Sequence, residues 1–285
     1  MRDLVKLYSF YSVHKTDGEK EICDWLVDRL KELGVEDINR DGNTIWHFKP
    51  NNRVLLSAHL DQVATNGPVA HLYKDSKGII RGYNKYWQRT SLGADDKNGI
   101  WCILKLIEKR YDIDFIISEG EEVGCVGISK IEEHIKESDA DIAIVIDRKG
   151  NTDILKGGGT DVYCDILAGT LRNYWNVEPE NNYKVTTGTL SDTRVICKYI
   201  ESVNLCANYE DAHTKNETTD FNGLQKTLDN LDMLLSDIVV DNFIYYPTPP
   251  EVYAKSETKV SKYESYYDDD WERTYYGGKH YGKLF

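Results

Sequence analysis

The amino-acid sequence predicts an α/β fold in which a largely parallel sheet is covered by helices on both faces. Three observations support this prediction: apolar runs that suit buried strands, amphipathic segments at helical spacing, and the alternation of the two along most of the chain. Strands that alternate with helices form parallel sheets, because each helix returns the chain to the same end of the sheet. A chain of 285 residues is long enough for one such domain with a full core.

Amphipathic and apolar segments alternate through the first half of the chain. Residues 18–33 place apolar side chains at helical spacing, and Gly34 suits a helix C-cap. Two apolar runs then predict strands, and a segment centred on Lys77 and Gly78 predicts a hairpin. In order, the predicted elements are a helix at 18–33, strands at 44–48 and 54–60, a hairpin at 71–82, a helix at 98–110, a strand at 112–118, a helix at 128–138 and a strand at 140–147.

The second half begins with weaker signals and ends in a segment of different composition. Strands are predicted at 162–168 and 183–188, a short helix within 191–200, and a long helix at 219–240. Residues 245–285 contain nine of the twenty tyrosines and few aliphatic residues. Such a segment buries too little apolar area to offset its ordering entropy. We therefore predict a catalytic domain at 1–244 and a flexible tail at 245–285, with a tyrosine-anchored docking segment for a protein partner as the alternative.

Composition and charge narrow the class of protein. The formal net charge of −13 argues against nucleic acid as a partner, because phosphate binding needs a basic face. The N-terminus lacks the apolar core of a signal peptide, and no stretch has the ~18 apolar residues of a membrane span. We therefore expect no membrane partner. The scattered cysteines form no C-x-x-C pair, which argues against a structural zinc ribbon and a disulfide framework, so we expect a reducing, cytoplasmic location. The six cysteines are Cys23, Cys102, Cys125, Cys164, Cys197 and Cys206.

Polar side chains that suit a metal site occur where predicted elements begin or end. In open α/β sheets, ligands bind at the carboxyl ends of the strands, so side chains that follow different strands can converge there. The candidates are His59 and Asp61, Asp95 and Asp96, Glu121 and Glu122, Asp147, and His213.

Imidazole and carboxylate together are the ligands of a divalent metal site. Two neighbouring ions need a bridging carboxylate and further acids to offset four positive charges. We expect His59 and Asp147 to hold one ion. Glu122 and His213 would hold the other ion, and Asp95 would span both.

Each candidate also has a structural explanation when it is taken alone. Asp61 lies two residues after His59 and would accept its second imidazole proton, but His59 also suits a buried core position. Asp95 and Asp96 also suit a helix N-terminus. The specific signal is the ordered set H-x-D, D-D, E-E, D, H, since no structural role requires all its members together.

Six short stretches carry a further signal: AHLD (58–61), LGADDKNG (92–99), EGEEVGCVG (119–127), VID (145–147), GTLSDTR (188–194) and AHTKNE (212–217). Through them the chain resembles, over about residues 1–240, the co-catalytic zinc exopeptidases. That superfamily includes leucyl aminopeptidases, peptidase T-like tripeptidases and carboxypeptidase G-like enzymes. The resemblance implies a phosphorylase-like three-layer α/β/α sandwich with a mixed, mostly parallel sheet. It also implies two zinc ions, Glu121 as the general base that activates metal-bound water, and a cis peptide bond after Asp95.

The sequence departs from that superfamily in two places. Its tripeptidase and carboxypeptidase members insert a lid or dimerisation domain before the last histidine, whereas here only 65 residues separate Asp147 from His213. We therefore expect no lid domain, and the substrate preference of those enzymes does not carry over. The tyrosine-rich tail has no counterpart in the resemblance.

These observations lead to one expected function and two alternatives. The expectation is a zinc-dependent aminopeptidase that hydrolyses short peptides with two metal ions. The alternative enzyme is a carboxypeptidase or an amidohydrolase of N-acyl amino acids, in which Arg194 would bind the substrate carboxylate. The alternative of another class is a non-catalytic binding protein on the same fold. Two neighbours of the expected site are assigned structural roles: Glu119 as a solvated side chain and Cys125 as a packed one.

Overall fold

The computed structural model describes residues 1–156, 165–178, 181–188, 191–240, 243 and 245. Within these residues the helices are α1 (Arg2–Ser9), α2 (Asp17–Glu32), α3 (Ala94–Glu108), α4 (Val126–Lys130), α5 (Glu132–Ile135), α6 (Asp165–Trp175), α7 (Thr193–Ile196) and α8 (Phe221–Val239). The strands are β1 (Asn39–Asp41), β2 (Thr44–His47), β3 (Val54–His59), β4 (His71–Lys74), β5 (Ile79–Tyr83), β6 (Arg89–Thr90), β7 (Asp114–Ser118), β8 (Ile142–Arg148), β9 (Asp153–Lys156), β10 (Lys184–Thr186), β11 (Glu201–Cys206), β12 (Tyr209–Glu210) and β13 (Thr218–Asp220).

The main sheet has eight strands in the order β1-β2-β7-β3-β8-β11-β9-β10. The four central strands β7, β3, β8 and β11 run parallel to one another. The antiparallel pairs are β1 with β2, β2 with β7, and β11 with β9. The mixed, mostly parallel sheet predicted for this chain is therefore confirmed, and its central strands end at a common edge.

Side chains of the central strands alternate between two apolar cores, one on each face of the sheet. On β3, Leu56 and Ala58 belong to the larger core, whereas Leu55 belongs to the smaller one. The larger core also contains apolar residues of α1, α2, α3, α6 and α8, and the smaller core contains those of α4, α5 and α7. Helices therefore cover both faces, which is the three-layer α/β/α arrangement.

A second, smaller sheet brings two distant segments toward the edge where the central strands end. Its strands run in the order β12-β13-β5-β4, with β6 beside β5. Strands β4 and β5 form the predicted hairpin around Gly78, whose φ of +92° is one that glycine adopts readily. Strand β6 leads into the turn before α3, and the loop between β12 and β13 carries His213. Apart from its hairpin, this sheet was not predicted from the sequence.

Two predicted elements differ from the structure. The helix predicted at 128–138 is two short helices, because the backbone at Ile131 (φ −96°, ψ 12°) interrupts it. The strand predicted at 162–168 is wrong for residues 165–168, which begin helix α6, and residues 162–164 lie outside the described residues. The helix forms because Leu167, Leu171 and Trp175 recur every four residues and are fully buried on one face.

Two predictions about domain organisation stay predictions. The segment between Asp147 and His213 includes residues 157–164, 179–180 and 189–190, which are not described, so the expected absence of a lid is not tested. Of the predicted tail, only Tyr245 is described. Among the helices of the described residues, none is both long and apolar enough to cross a membrane.

Candidate metal centre

The candidate site lies at the edge of the main sheet where the parallel strands β3, β7 and β8 end. The first turn of α3 and the loop between β12 and β13 approach the same edge. These segments bring together seven of the predicted site residues: His59 and Asp61 at the end of β3, Asp95 in α3, Glu121 and Glu122 after β7, Asp147 in β8, and His213 between β12 and β13.

Asp95 lies between the two histidines of the site. Its Oδ1 atom is 3.0 Å from His59 Nε2, and its Oδ2 atom is 3.2 Å from His213 Nε2. A carboxylate whose two oxygens face two different imidazoles is arranged to bridge two ions. The peptide bond between Asp95 and Asp96 is cis, as the resemblance implied.

Each histidine also has a second acidic neighbour, so the ligands form two groups. Asp147 Oδ1 lies 3.5 Å from His59 Nε2, and Glu122 Oε1 lies 2.8 Å from His213 Nε2. Ligand atoms of Asp95, Glu122 and His213 all lie within 4.8 Å of one another. Both groups include Asp95. The first also contains His59 and Asp147, and the second contains Glu122 and His213, which are the pairs that the sequence assigned to separate ions.

Asp61 connects the end of β3 to the pair of glutamates after β7. Its Oδ1 atom is 3.4 Å from Nδ1 of His59, which leaves Nε2 to face the other ligands. Its two oxygens accept hydrogen bonds from the backbone N–H groups of Glu121 (3.0 Å) and Glu122 (3.2 Å). One fully buried carboxylate therefore lies beside the imidazole and fixes the backbone of both glutamates.

The side chains of Glu121 and Glu122 point to different parts of the site. Glu122 contacts His213, whereas Glu121 Oε2 lies 4.0 Å from Nε2 of His59. The Glu121 carboxylate is one-tenth exposed, and the thiol of Cys125 lies 4.0 Å from its other oxygen. Cys125 itself is packed in the smaller apolar core, as predicted. Glu121 is therefore close to the ligands but is not enclosed between the two histidines.

Burial and crowding change the protonation of the acids and histidines. Desolvation raises the pKa of Glu121 well above its usual value and, with the nearby charge of Asp95, raises the pKa of Asp147 to about 7. The carboxylates of Asp95 and Glu122 beside its ring raise the pKa of His213 to about 11. Burial alone would lower the pKa of His59, but hydrogen bonds to the surrounding carboxylates raise it well above its usual value. The site therefore concentrates negative charge and holds protons that a cation would displace.

The residues of the site fit two divalent cations. Imidazole nitrogens and carboxylate oxygens are the ligands that zinc binds in catalytic sites. The Oε1 atom of Glu122 is buried and makes no hydrogen bond of acceptable geometry, although the ring of His213 lies only 2.8 Å away. A short contact without hydrogen-bond geometry is what two ligands of one ion make. The donor set and the excess of buried acid both agree with two bound ions.

Asp96 has a structural connection to the site that the sequence did not specify. Its Oδ2 atom accepts the backbone N–H of His59 at 3.3 Å, and its Oδ1 atom accepts that of Gly99 at 3.0 Å. Asp96 is fully buried, and desolvation raises the pKa of its carboxyl well above the usual value. The side chain therefore joins the end of β3 to the first turn of α3.

The stretch GTLSDTR contributes Asp192 rather than Arg194 to the surroundings of the site. Asp192 is 1% exposed and accepts a hydrogen bond of 2.5 Å from the hydroxyl of Ser118, the last residue of β7. Desolvation raises its pKa to about 6. Arg194 lies on α7 with an exposed side chain, outside the groups of ligand atoms described above. Its role as a substrate ligand stays a prediction.

Glu119 is buried, so the prediction of a solvated side chain is wrong. It is 6% exposed, and its carboxylate accepts hydrogen bonds from the backbone of Asn43 at 3.0 Å and from Lys130 Nζ at 2.6 Å. The turn between β1 and β2 covers it, and a Cβ atom at Gly42 would lie 2.6 Å from Glu119 Oε1. The residues that cover Glu119 lie about 75 positions away in sequence. The polar sequence around Glu119 therefore did not indicate that its side chain is buried.

Comparisons with known proteins agree with this architecture. No family model matches the sequence. The Bacillus subtilis protein YqjE is 28% identical over 193 residues, which are 61% of this chain and 50% of that protein, so the chain spans about half the length of this relative. The aminopeptidase PepT of Bacillus cereus superimposes with a TM-score of 0.68 at 18% identity, over 84% of this chain and 97% of that one. A Staphylococcus aureus tripeptidase gives 0.64 at 16% identity, over 82% and 97%.

The protein therefore has the α/β fold of aminopeptidases and tripeptidases, which is the fold implied by its resemblance to the co-catalytic zinc exopeptidases. The same fold also occurs in a glutaminyl cyclase of Bacteroides thetaiotaomicron, which superimposes with a TM-score of 0.58 at 16% identity, over 81% of this chain and 94% of that one. The fold alone does not distinguish these activities, so the assignment of a reaction depends on the site.

Proposed function

We propose that the protein is a two-metal exopeptidase that removes residues from short peptides, with aminopeptidase activity as the specific form. The observation that carries the proposal is the position of Asp95, whose two carboxylate oxygens lie 3.0 and 3.2 Å from the two histidines. With ions bound, the two oxygens would serve one ion each, which is the role of a bridging ligand in a two-metal site.

Five residues would hold the ions, each with a separate task. When bound, the two ions would polarise the scissile carbonyl and lower the pKa of a water molecule. Asp61 keeps the His59 ring oriented through Nδ1, so that Nε2 remains the ligand atom. The ligands would be His59 and Asp147 for one ion, Glu122 and His213 for the other, and Asp95 for both.

Glu121 is the residue suited to move the proton. Its carboxylate is one-tenth exposed, 4.0 Å from Nε2 of His59, and held in place by the hydrogen bond from its own backbone N–H to Asp61. From there its Oε2 atom would take a proton from the attacking water and deliver it to the leaving amine. Burial raises the pKa of Glu121, which favours a base that can also act as an acid near neutral pH.

The choice of aminopeptidase over the other reactions is supported by the structural neighbours, which are described as an aminopeptidase and a tripeptidase. The carboxypeptidase or amidohydrolase alternative would need a cation to bind a substrate carboxylate. Arg194, the candidate for that role, is exposed and on a different segment from the ligands. A non-catalytic binding protein would have no need of Glu121 beside the ligands.

The test is to measure metal content and hydrolysis together. Full-length protein is freed of metal, titrated with Zn²⁺, Mn²⁺ and Co²⁺, and assayed on free di- and tripeptides, N-acetylated peptides and N-acyl amino acids. We expect two ions per chain and hydrolysis that requires a free amino terminus. Hydrolysis of only the N-acylated substrates would favour the amidohydrolase, and two bound ions without any turnover would favour the binding protein.

A further inference from the structure

We propose that Glu217 is a positioning residue, which holds the backbone of the bridging ligand Asp95 in place. The inference rests on the two-metal site of the proposed function. Glu217 is 1% exposed and ends the stretch AHTKNE, in which only the histidine had an assigned role. Its Oε2 atom accepts hydrogen bonds from Ser91 Oγ at 2.5 Å and Gly93 N at 2.7 Å, and its Oε1 atom accepts one from Asp95 N at 3.2 Å.

The donors to Glu217 determine what the residue does. Two of them are backbone amides of the turn that leads into α3, so the carboxylate fixes a backbone path rather than a side-chain charge. Ser91 adds to the same turn, since its hydroxyl oxygen also accepts the N–H of Gly93 at 2.9 Å. Gly93 has a φ of +60°, and a Cβ atom there would lie 2.6 Å from Lys97 Nζ. The turn is therefore tightly enclosed, and Glu217 is the side chain that satisfies its amides.

Glu217 also connects the turn before Asp95 to the loop between β12 and β13, which carries the ligand His213. Glu217 follows His213 by four positions, and its N–H donates to the carbonyl of Thr214 at 3.2 Å. Its own carbonyl accepts a hydrogen bond of 3.0 Å from Arg89. Glu217 thus joins the turn before Asp95 to the turn that carries His213. Metal–ligand distances tolerate only about 0.2 Å of variation, so a shift of either turn would weaken the ion held by Asp95, Glu122 and His213.

A purely structural glutamate would affect stability alone, and Asp114 provides the matched control. It is a fully buried carboxylate at the opposite end of β7, and it too accepts from a backbone amide (Lys49, 2.9 Å) and a serine hydroxyl (Ser138, 2.7 Å). Glu217→Gln and Asp114→Asn both replace one acceptor oxygen with an NH₂ group that faces donors. They differ in whether those donors belong to a ligand segment.

The experiment titrates metal-free, full-length protein with Zn²⁺ against a chromophoric chelator and records the melting temperature of each variant. We expect Glu217→Gln to weaken the ion held by Asp95, Glu122 and His213 by about 10–100-fold, the usual effect of losing an outer partner of a ligand, and to weaken the other ion, which Glu217 reaches only through Asp95, by a smaller factor. Asp114→Asn should lower the melting temperature and leave both affinities unchanged. Ser91→Ala keeps the Glu217 carboxylate and should weaken the ion held by Asp95, Glu122 and His213 by a smaller factor than Glu217→Gln does. If Glu217→Gln does not fold, the affinities of Ser91→Ala provide the test.

Three outcomes would overturn the proposal: unchanged affinities in Glu217→Gln, unchanged affinities in Ser91→Ala when Glu217→Gln is unfolded, or an equal loss in Asp114→Asn. A wild type that binds fewer than two ions would overturn it together with the two-metal site. A wild type that binds two ions but hydrolyses no peptide would refute the proposed function only, because the affinities of the variants would still decide the role of Glu217.

Discussion

Replacing Glu121 by glutamine separates its proposed role as a base from that of a ligand. The amide has nearly the same shape as the carboxylate. The carboxylate oxygens lie 4.0 Å from His59 Nε2 and from Cys125 Sγ, beyond normal hydrogen-bond distance, so the substitution removes no close contact to these residues. The backbone N–H that anchors Glu121 to Asp61 is kept. Removal of one acid from a crowded site also reduces repulsion. We therefore expect the fold and both ions to remain.

The expected loss is in turnover. A positioned general base contributes about 10²–10⁴-fold, which corresponds to about 3–5 kcal/mol in activation free energy. The assay measures kcat on a tripeptide, normalised to metal content, for wild type, Glu121→Gln and Glu119→Gln. Glu119 is the matched control, because it is a buried glutamate two residues away whose carboxylate binds Lys130 rather than facing the ligands. Its substitution should reduce stability but leave kcat per metal-loaded molecule nearly unchanged.

Two results would refute this reasoning. If Glu121→Gln lost an ion and regained normal turnover on addition of excess metal, Glu121 would be a ligand and the roles of Glu121 and Glu122 would have to be exchanged. If Glu121→Gln bound both ions and kept near-normal turnover, another group would supply the base.

The remaining predictions concern the ligands, the protons and the tail. Asp95→Ala should reduce the affinity for both ions, whereas His213→Ala should weaken mainly one, as metal analysis after dialysis would show; equal effects would contradict a bridging Asp95. Because Asp147 and His213 have raised pKa values of about 7 and 11, the folded metal-free protein binds more protons than the unfolded chain. The contribution of Asp147 to stability should therefore be lost as the pH rises from about 4 to 7, and that of His213 as it rises from about 6.5 to 11. Zn²⁺ binding should release protons in calorimetry, and a stability that increases with pH over this range would contradict the prediction. Truncation after Ile244 should leave turnover per folded molecule nearly unchanged, and a large loss in a folded, metal-binding truncation would assign the tail a role.

Three of the four central strands, β3, β7 and β8, were predicted because their signals are local, whereas β11 (Glu201–Cys206) was not predicted. Strands β3 and β8 are continuous apolar runs, which is typical of strands buried on both faces. Helix α6 was mistaken for a strand because its first residues are a short apolar run, and such runs do not distinguish a buried strand from a buried helix. The small sheet was missed since its strands β6, β12 and β13 have two or three residues each and depend on pairing with β5 and with one another.

The site was predictable to the extent that it follows from topology. Ligands that follow parallel strands meet at one edge, so the approach of His59 and Asp147 could be expected from the order of elements alone. Two buried carboxylates near the site, Glu217 and Glu119, could not be predicted in this way. Glu217 is held by amides more than 120 residues away, and Glu119 is covered by the β1–β2 turn. Their surroundings exist only in the folded chain, and their local sequence contains nothing that distinguishes them from exposed acids.

The ligand set by itself does not decide between an enzyme and a metal-binding protein. The three carboxylates of the ligand set repel one another at this edge unless protons or cations offset their charge, so a binding protein that kept them would also need the ions. Glu121 differs, because it adds a buried negative charge that lies outside the pair of histidines and makes its contacts at 4.0 Å. Burial of that charge disfavours the folded state, as the raised pKa of Glu121 indicates, and Glu121 is not among the five residues assigned to the ions. Under the proposed function this residue is explained by proton transfer, so the Glu121→Gln variant, rather than the metal content, decides between the two classes.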